Sequence, residues 1–417
     1  MTVTKYRWGR RSTLIGLILV VFLVGYVERK PLFLLSKPLL EPLVNVVLNT
    51  PEFKGLQLSK NAKTQAEDIH AWITEYARTI KTIRHDTNES KSPEHLRKEL
   101  QSLLGSYSAC PDEHSLTLQH LYSNESYTLN EVQISVCSGE LHLAGLIATP
   151  NLNSSPPPLI IALHGTAAGP EVLFDGWGDD RRLSYQVEDY HNSMGSVLAK
   201  AGFTVFAPQL ITEKKNKPIV GFNRTRNELH MRLSSLGFTL HGIELTMIMR
   251  ALTALSTDSR VSYERESVGV YGVSLGGETA FYLAALDERI KASVISQYIE
   301  DRDKKLFGTL LESNWRFPSG TYAFKQGFSN VFSDTEMLKL ILPRAIFIEA
   351  GIKDEQRTQS ALNMFVQWRE EFPVETQDGT ICLEIGTGGH SVQLRESIPW
   401  LKTKLINHYE YKPFCSN

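Results

Sequence analysis

The sequence feature that most limits the fold is the pentapeptide Gly272-Val273-Ser274-Leu275-Gly276. It follows the apolar residues 268–271 and precedes a run of small and apolar residues at helical spacing, 277–286. In this context a G-x-S-x-G pattern is typical of a nucleophile elbow, where a strand turns sharply into a helix at a strained serine. Glycines are needed because a Cβ at either position would crowd the neighbouring backbone. The pattern predicts a strand, a turn and a helix, with Ser274 standing above the edge of a sheet.

The chain beyond residue 158 alternates apolar, strand-like segments with helical segments. The predicted strands are residues 159–163, 204–206, 267–273, 292–295, 345–348 and 381–385. Their continuous apolar character suits a mostly parallel sheet that is covered by helices on both faces. Upstream, residues 127–137 and 141–149 alternate in polarity around Ser138-Gly139 and predict a hairpin that opens the sheet. We therefore expect an α/β fold with its ligand site beyond the carboxyl ends of the strands.

Three residues with the chemistry of acyl transfer each follow a predicted strand: in chain order they are Ser274, Asp354 and His390. An acyl-transfer site needs these types together, because the imidazole accepts the serine proton while the carboxylate holds the imidazole in the correct tautomer. Another strand ends in the glycine-bearing turn 164–169, whose backbone N–H groups are candidates to face a ligand. The sequence thus predicts one site assembled from several strand ends.

These motifs resemble the α/β-hydrolase superfamily, and within it the group of dienelactone hydrolases, acetyl esterases and prolyl-oligopeptidase-like proteins. The resemblance covers about residues 127–408. It rests on the turn His164-Gly165, the elbow 272–277, Pro343-Arg344 before the strand that leads to Asp354, and Gly388-Gly389-His390. It implies an α/β-hydrolase fold with Ser274 as nucleophile, Asp354 as acid and His390 as base.

The resemblance also implies an oxyanion hole made of backbone N–H groups. One belongs to Leu275, which follows the nucleophile, and the other to Thr166 or Ala167. Alternatives remain for each triad member. Ser274 has the alternative of being an ordinary turn serine, Glu355 competes with Asp354, and His408 and His241 compete with His390. His164 is expected to support its turn rather than to act as a base.

The N-terminus predicts attachment to a membrane. Lys5, Arg7, Arg10 and Arg11 precede an apolar run, residues 14–27, that is shorter than the roughly 20 residues of a full span. No clean pair of small residues for cleavage follows it, which favours an uncleaved anchor over a removed signal. The excess of basic residues before the run predicts that the remainder of the chain is exported. If the segment is cleaved, the protein is secreted instead.

We expect three regions: a membrane anchor or signal at residues 1–30, a helical extension at 31–126 and a catalytic domain at 127–417. Within the extension, helices are expected from residue 61 to about 121, with an apolar stripe packed against the catalytic domain. The stripe consists of Ile69, Trp72, Ile73, Tyr76 and Ile80. The four cysteines suggest pairing of neighbours, Cys110 with Cys137 and Cys382 with Cys415, and four unpaired thiols are the alternative.

The function predicted from these features is hydrolysis of a carboxylic ester, on a small molecule or a glycan, through an acyl-enzyme. Two alternatives are a serine peptidase of the prolyl-oligopeptidase type and an inactive hydrolase-fold protein used for binding. Forty-four basic and 46 acidic residues nearly cancel, so nucleic acid is not expected as a partner. No cofactor or metal is implied. Residues 209–240 and 297–343 are candidates to shape the substrate pocket.

Overall fold

The computed structural model describes residues 60–88, 91–105, 110–111, 113–151, 155–166, 169–175, 190–211, 224–307, 324–406, 409 and 415. The chain divides into two compact units, Met1–Ile73 and Thr74–Asn417. The described residues of the first unit belong to a single helix. The predicted membrane segment, residues 14–27, lies outside the described residues. Among the helices that are described, none combines the length and the apolar content needed to cross a membrane.

The second unit is built on a sheet whose nine described strands lie in the order β1-β2-β3-β5-β4-β6-β7-β8-β9. The strands are β1 Ser115–Ser123, β2 Tyr127–Val136, β3 Leu141–Pro150, β4 Pro158–Leu163, β5 Thr204–Pro208, β6 Glu264–Val273, β7 Ile290–Ser296, β8 Ala345–Gly351 and β9 Ile381–Gly386. Strands β1, β2, β3 and β5 pair antiparallel in succession. From β5 through β4 and β6 to β9 all pairing is parallel. The fold is therefore α/β with a mostly parallel central sheet.

Helices cover the sheet. The described α-helices are α1 Lys60–Asn88, α2 Pro93–Leu104, α3 Met194–Lys200, α4 Arg224–Ser234, α5 Leu240–Thr257, α6 Leu275–Leu286, α7 Arg302–Phe307, α8 Phe328–Val331, α9 Asp334–Ile341, α10 Glu355–Glu371, α11 Pro373–Gln377 and α12 Ser397–Leu405. Local sequence sets several of their ends. At α2, the Ser92 hydroxyl accepts the N–H of His95, and Gly105 ends the helix with a left-handed φ of 62°.

Alternate side chains of the central strands point into two separate cores, as the period of two along a strand requires. In β4, Leu159, Ile161 and Leu163 belong to the core that contains residues of α2, α5, α6, α9 and α10. Ile160 and Ala162 belong to the core that contains residues of α3 and α12. Strands β4 and β8 are consequently buried along their whole length. This two-sided burial explains why their sequences are continuously apolar.

All six predicted strands and the predicted hairpin are confirmed, with ends extended by up to a few residues. The prediction of helices as far as residue 121 was wrong, because residues 115–123 form the edge strand β1. Its residues are exposed or only half-buried, including Leu116 and Leu118. Leu116 and Leu118 alternate with polar residues, but a register shift between His120 and Tyr122 breaks the alternation after a few residues. The boundaries 1–30, 31–126 and 127–417 stay predictions.

The apolar stripe of α1 was predicted to be buried, and three of its side chains are exposed. Ile69, Trp72 and Tyr76 are 58%, 63% and 46% exposed, so these three side chains are not the buried core contacts that their spacing predicted. Helical periodicity identifies a common face of a helix but not what covers that face.

The suggested pairing of the cysteines is confirmed. Cys110 is bonded to Cys137, which follows β2, and Cys382 in β9 is bonded to Cys415. The two bridges close sequence separations of 27 and 33 residues. The first bridge therefore fixes the turn between β2 and β3, and the second joins strand β9 to Cys415 near the C-terminus.

Candidate active site

Ser274 lies where β6 turns into α6, as the elbow motif predicts. Its φ of 57° and ψ of −115° are strained for a residue with a side chain. Its backbone N–H donates to the Ser296 carbonyl at 3.0 Å, which fixes the turn against the end of β7. The side chain is half-buried and makes no capping hydrogen bond with α6. The hydroxyl therefore lies at the end of the sheet and does not cap the helix.

The two motif glycines permit this turn by close backbone contact. A Cβ on Gly276 would overlap the carbonyl oxygen of Leu163 at the end of β4, and one on Gly272 would overlap the Gly276 carbonyl. The helix begins directly after Ser274, whose carbonyl accepts the N–H of Glu278 at 3.0 Å. The first N–H groups of a helix have no partner within it, so the N–H of Leu275 is not used by the ladder of α6. This is the arrangement that an oxyanion donor requires.

The turn after β4 holds the second predicted oxyanion residue, Thr166. Its carbonyl accepts the Tyr190 hydroxyl at 3.3 Å, and the N–H of Gly165 donates to Nε2 of His191 at 3.0 Å. The alternative donor, Ala167, lies outside the described residues. Its role, like that of Thr166, stays a prediction.

His164 is buried and supports this turn. Its Nδ1 lies 2.7 Å from the Gly165 carbonyl, and its Nε2 accepts the N–H of Leu210 at 3.1 Å. Burial lowers the pKa of His164 to about 3, so the ring stays neutral. Because both nitrogens bond to backbone, this geometry fits the structural role predicted for His164.

Asp354 and His390 are brought together at the carboxyl ends of β8 and β9. Oδ2 of Asp354 accepts a hydrogen bond from Nδ1–H of His390 at 2.8 Å. The two turns also bond to each other, because the N–H of Lys353 donates to the Gly388 carbonyl at 3.0 Å. A carboxylate on Nδ1 leaves Nε2 of the imidazole as the proton acceptor, which is the tautomer that a general base needs.

The Asp354 carboxylate is held in its charged form. Burial by itself would raise the pKa of Asp354, but the hydrogen bond from His390 and the charge of Arg357 outweigh burial and lower the pKa below its usual value. Nε of Arg357 lies 3.6 Å from Oδ2. The carboxyl group therefore accepts from the imidazole without taking its proton.

The competing residues occupy different surroundings. Glu355 is the first residue of α10 and its side chain is exposed. His241 lies in α5, 3% exposed, with its ring centroid 4.8 Å from that of Tyr282, and burial lowers its pKa to about 3. His408 lies outside the described residues. Of the described candidates, Asp354 and His390 are the pair joined by a hydrogen bond.

A chain of hydrogen bonds connects the elbow to the turn of His390. Ser274 bonds to Ser296, and the next residue, Gln297, donates from its side-chain amide to the Ser391 carbonyl at 2.9 Å. Sequence reasoning did not identify Gln297. Its position two residues after the predicted strand 292–295 was a signal. In the structure its φ of 55° marks a special turn.

Two other supporting residues were also missed. The ring centroids of Tyr190 and His390 lie 5.7 Å apart. The backbone carbonyl of Tyr190 accepts the N–H of Val392 at 3.0 Å. Glu349 lies in β8 and accepts the N–H groups of Gln393 and Leu394. A single acidic residue within an apolar strand was the signal for Glu349. Tyr190 offers no comparable signal in the sequence.

The segments that were candidates to shape a pocket are described in part. Within 297–343, Phe332 is fully buried and packs against Phe328 with ring centroids 5.5 Å apart. Phe324 is 40% exposed and lines a cavity of about 90 Å³ with Glu278, Arg302 and Lys325. Lys325 donates to Glu278 at 2.7 Å, so this cavity has a charged but paired lining. Of the segment 209–240, residues 212–223 lie outside the described residues.

Comparison with known proteins agrees with this architecture. Residues 183–299, which include Ser274, match the model of the Dienelactone hydrolase family. The chain is 24% identical over 267 residues to "Putative hydrolase YtaP" of Bacillus subtilis (strain 168), and the match covers 62% of this chain and 80% of that protein.

Two solved structures share the fold. One is described as a putative acetyl xylan esterase from Bacteroides fragilis NCTC 9343, with TM-score 0.53, 18% identity and coverage of 71% of this chain and 76% of that one. The other is the methylesterase BT1017, with TM-score 0.51, 16% identity and coverage of 82% and 68%. Both structures agree with the strand order and show a shared fold. Residues 183–299 of the chain are similar to the Dienelactone hydrolase family, which belongs to the α/β-hydrolase superfamily.

Proposed function

We propose that this protein is a serine esterase that hydrolyses carboxylic esters through an acyl-enzyme on Ser274. The observation that carries the proposal is the hydrogen bond between Asp354 and Nδ1 of His390. The elbow supports it, because the Ser274 hydroxyl makes no capping hydrogen bond with α6. The family match supports hydrolysis as the reaction class. The names of the structural neighbours, an acetyl xylan esterase and a methylesterase, favour esters of small molecules or glycans as substrates.

The proposed reaction begins when Oγ of Ser274 attacks the ester carbonyl carbon and its proton passes to Nε2 of His390. The carbonyl oxygen becomes negatively charged and accepts hydrogen bonds from the N–H groups of Leu275 and Thr166. His390 then returns the proton to the departing alkoxide, which leaves as an alcohol and yields the acyl-enzyme. A water molecule repeats the sequence and releases the acid. Asp354 stays ionised throughout and stabilises the imidazolium.

The test is covalent labelling with a fluorophosphonate probe. The parent protein should react in stoichiometric amount, and Ser274→Ala should not. Ser293→Ala is a matched control, because Ser293 is a buried serine of β7 that donates to the Ala345 carbonyl at 3.2 Å. Labelling of Ser274→Ala at the parent rate, or a folded parent that never reacts, would overturn the proposal. Short-chain acyl esters assayed beside prolyl peptides separate esterase from peptidase activity.

For placement, we propose that residues 14–27 anchor the protein with its catalytic domain on the exported side. The basic residues before this run support that orientation. The two disulfides support it as well, because such bonds persist in oxidising compartments. Protease protection of sealed vesicles, read with an antibody to the C-terminal residues, tests the orientation. A C-terminus that is protected together with cytoplasmic markers contradicts export, and a mature N-terminus beyond residue 27 contradicts only the anchor.

A further inference from the structure

The side chain of Glu349 is a buried carboxylate inside the strand that leads to Asp354. The residue is 1% exposed and lies in β8, five positions before the acid. The hydroxyl of Tyr271 donates to this carboxylate at 2.7 Å. Tyr271 belongs to β6, three positions before Ser274. Glu349 thus joins the strand of the predicted nucleophile to the strand of the predicted acid.

The same carboxylate also holds the segment that follows His390. Its two oxygens accept the N–H groups of Gln393 and Leu394, each at 3.2 Å. Leu394 has a φ of 63°, in the left-handed region that a leucine rarely adopts. A backbone in this conformation persists only where its surroundings fix it. The carboxylate supplies that restraint, since a buried charged acceptor forms stronger hydrogen bonds than a neutral one.

A second carboxylate lies beside the first. Glu384 of β9 is the register partner of Glu349 and is 3% exposed. One of its oxygens accepts the N–H of Glu396 at 3.4 Å, and the other lies 3.3 Å from Nε of Arg395. The two glutamates therefore contact four consecutive residues, 393–396. Two buried carboxyl groups on neighbouring strands are costly for a fold, which favours a specific role over chance placement.

We propose that Glu349 is a positioning residue of the active site, which keeps His390 in place by binding the backbone of residues 393 and 394. The inference rests on the proposed role of His390. Glu349 does not touch the reacting atoms. It acts through the segment 391–396, whose other end is fixed by the Gln297 amide on Ser391 and by the Tyr190 carbonyl on Val392. Small displacements of a general base reduce catalysis steeply, so the restraint matters for turnover.

The test compares Glu349→Gln with a matched control, Glu336→Gln. Glutamine keeps the volume but offers one acceptor oxygen and one NH₂ group, so one of the two backbone N–H groups loses its acceptor. Glu336 is also a buried glutamate that accepts a backbone N–H, that of Ser333 at the start of α9, and α9 bears no triad residue. For Glu349→Gln we expect kcat on p-nitrophenyl acetate to fall about tenfold or more with KM within about twofold. For Glu336→Gln we expect both values near those of the parent.

A spectroscopic readout separates this inference from the proposed function. The proton on Nδ1 of His390, held by Asp354, should give a downfield NMR resonance in the parent and in Glu336→Gln, and this resonance should weaken or vanish in Glu349→Gln. A folded Glu349→Gln protein with parental kcat and an unchanged resonance overturns the inference. Equal losses in both variants overturn it as well, because they indicate general destabilisation. A parent that turns over no ester but shows the expected resonances refutes the esterase and leaves the positioning role intact.

Discussion

Oδ2 of Asp354 lies 2.8 Å from Nδ1 of His390, although 36 residues of sequence separate them. Strands β8 and β9 are adjacent and parallel, so the turns that follow them meet at the same edge of the sheet. The helices α10 and α11 occupy the intervening sequence and return the chain to the start of β9. The fold, rather than proximity in sequence, therefore pairs the acid with the base.

Replacing Asp354 by asparagine should abolish most of the activity while the protein stays folded. The amide cannot hold the imidazole in the required tautomer, and in the Ser-His-Asp template this change lowers kcat on the order of 10⁴-fold. Glu355→Gln is the control, since Glu355 is exposed at the start of α10, and we expect its kcat to stay within about twofold of the parent. Steady-state kinetics on one ester measure both variants. Equal losses for the two would show that the acid has been misassigned.

Glu384 should make a contribution to the stability of the folded protein that decreases between pH 5 and pH 7. Burial and the neighbouring charge of Glu349 raise the pKa of Glu384 from its ordinary range to about 7. The folded state then binds more protons than the unfolded state in this interval, so the free energy of unfolding decreases as pH rises. The expected decrease from this group is on the order of 2–3 kcal/mol.

Glu384→Gln is the variant that checks this pH dependence. A glutamine at this position does not titrate, so urea unfolding at several pH values isolates the contribution of Glu384 as the difference in the free energy of unfolding between parent and variant. This difference should change by that amount between pH 5 and 7, with the parent losing stability relative to the variant as pH rises. Parallel profiles for the two proteins would contradict the raised pKa.

Replacing His241 by leucine should leave activity intact and should not destabilise the protein. Within the part of the chain that the structure describes, neither ring nitrogen of His241 has a hydrogen-bond partner, and the residue is buried beside Tyr282. Replacing an unpartnered buried polar group by an apolar one is neutral or stabilising, here by up to about 1 kcal/mol. Ester kinetics and thermal unfolding measure the two effects. A loss of turnover comparable to that of His390→Ala would assign His241 a part in the chemistry.

Removing the bridge between Cys382 and Cys415 should lower the free energy of unfolding by about 2–4 kcal/mol, as expected for a loop of this length. The variant Cys382→Ser/Cys415→Ser should still hydrolyse esters at moderate temperature, because β9 remains paired with β8 along its length. Urea unfolding of the variant and of the parent, with and without a thiol reductant, measures the cost. The parent should show no reactive thiol before reduction. Four titratable thiols in the native protein would contradict both bridges.

The three residues of the candidate site could be predicted from the sequence, whereas the residues that support them were not predicted. Ser274, Asp354 and His390 are of types that acyl transfer requires, and each follows an apolar run that marks a buried strand. Glu349 and Tyr190 act through hydrogen bonds to the backbone of residues 392–394, and such distant contacts leave no periodic pattern in the sequence. The predictions for the exposed strand β1 and for the exposed stripe of α1 were also wrong. In β1 a register shift interrupts the alternation, and in α1 the helical spacing of the stripe does not show whether another element covers it.

The backbone approach at Gly276 bears on how natural variation in related chains should be interpreted. The carbonyl of Leu163 occupies the space that any side chain at position 276 would need, whether or not the protein is an enzyme. A descendant that has lost its chemistry must therefore retain this glycine to keep its sheet and helix packed together. The packing does not require a serine at position 274, because the Ser274 hydroxyl makes no capping hydrogen bond with α6. Among relatives, the glycines of the motif report inheritance of the architecture, and only the serine between them can report that selection still maintains hydrolysis.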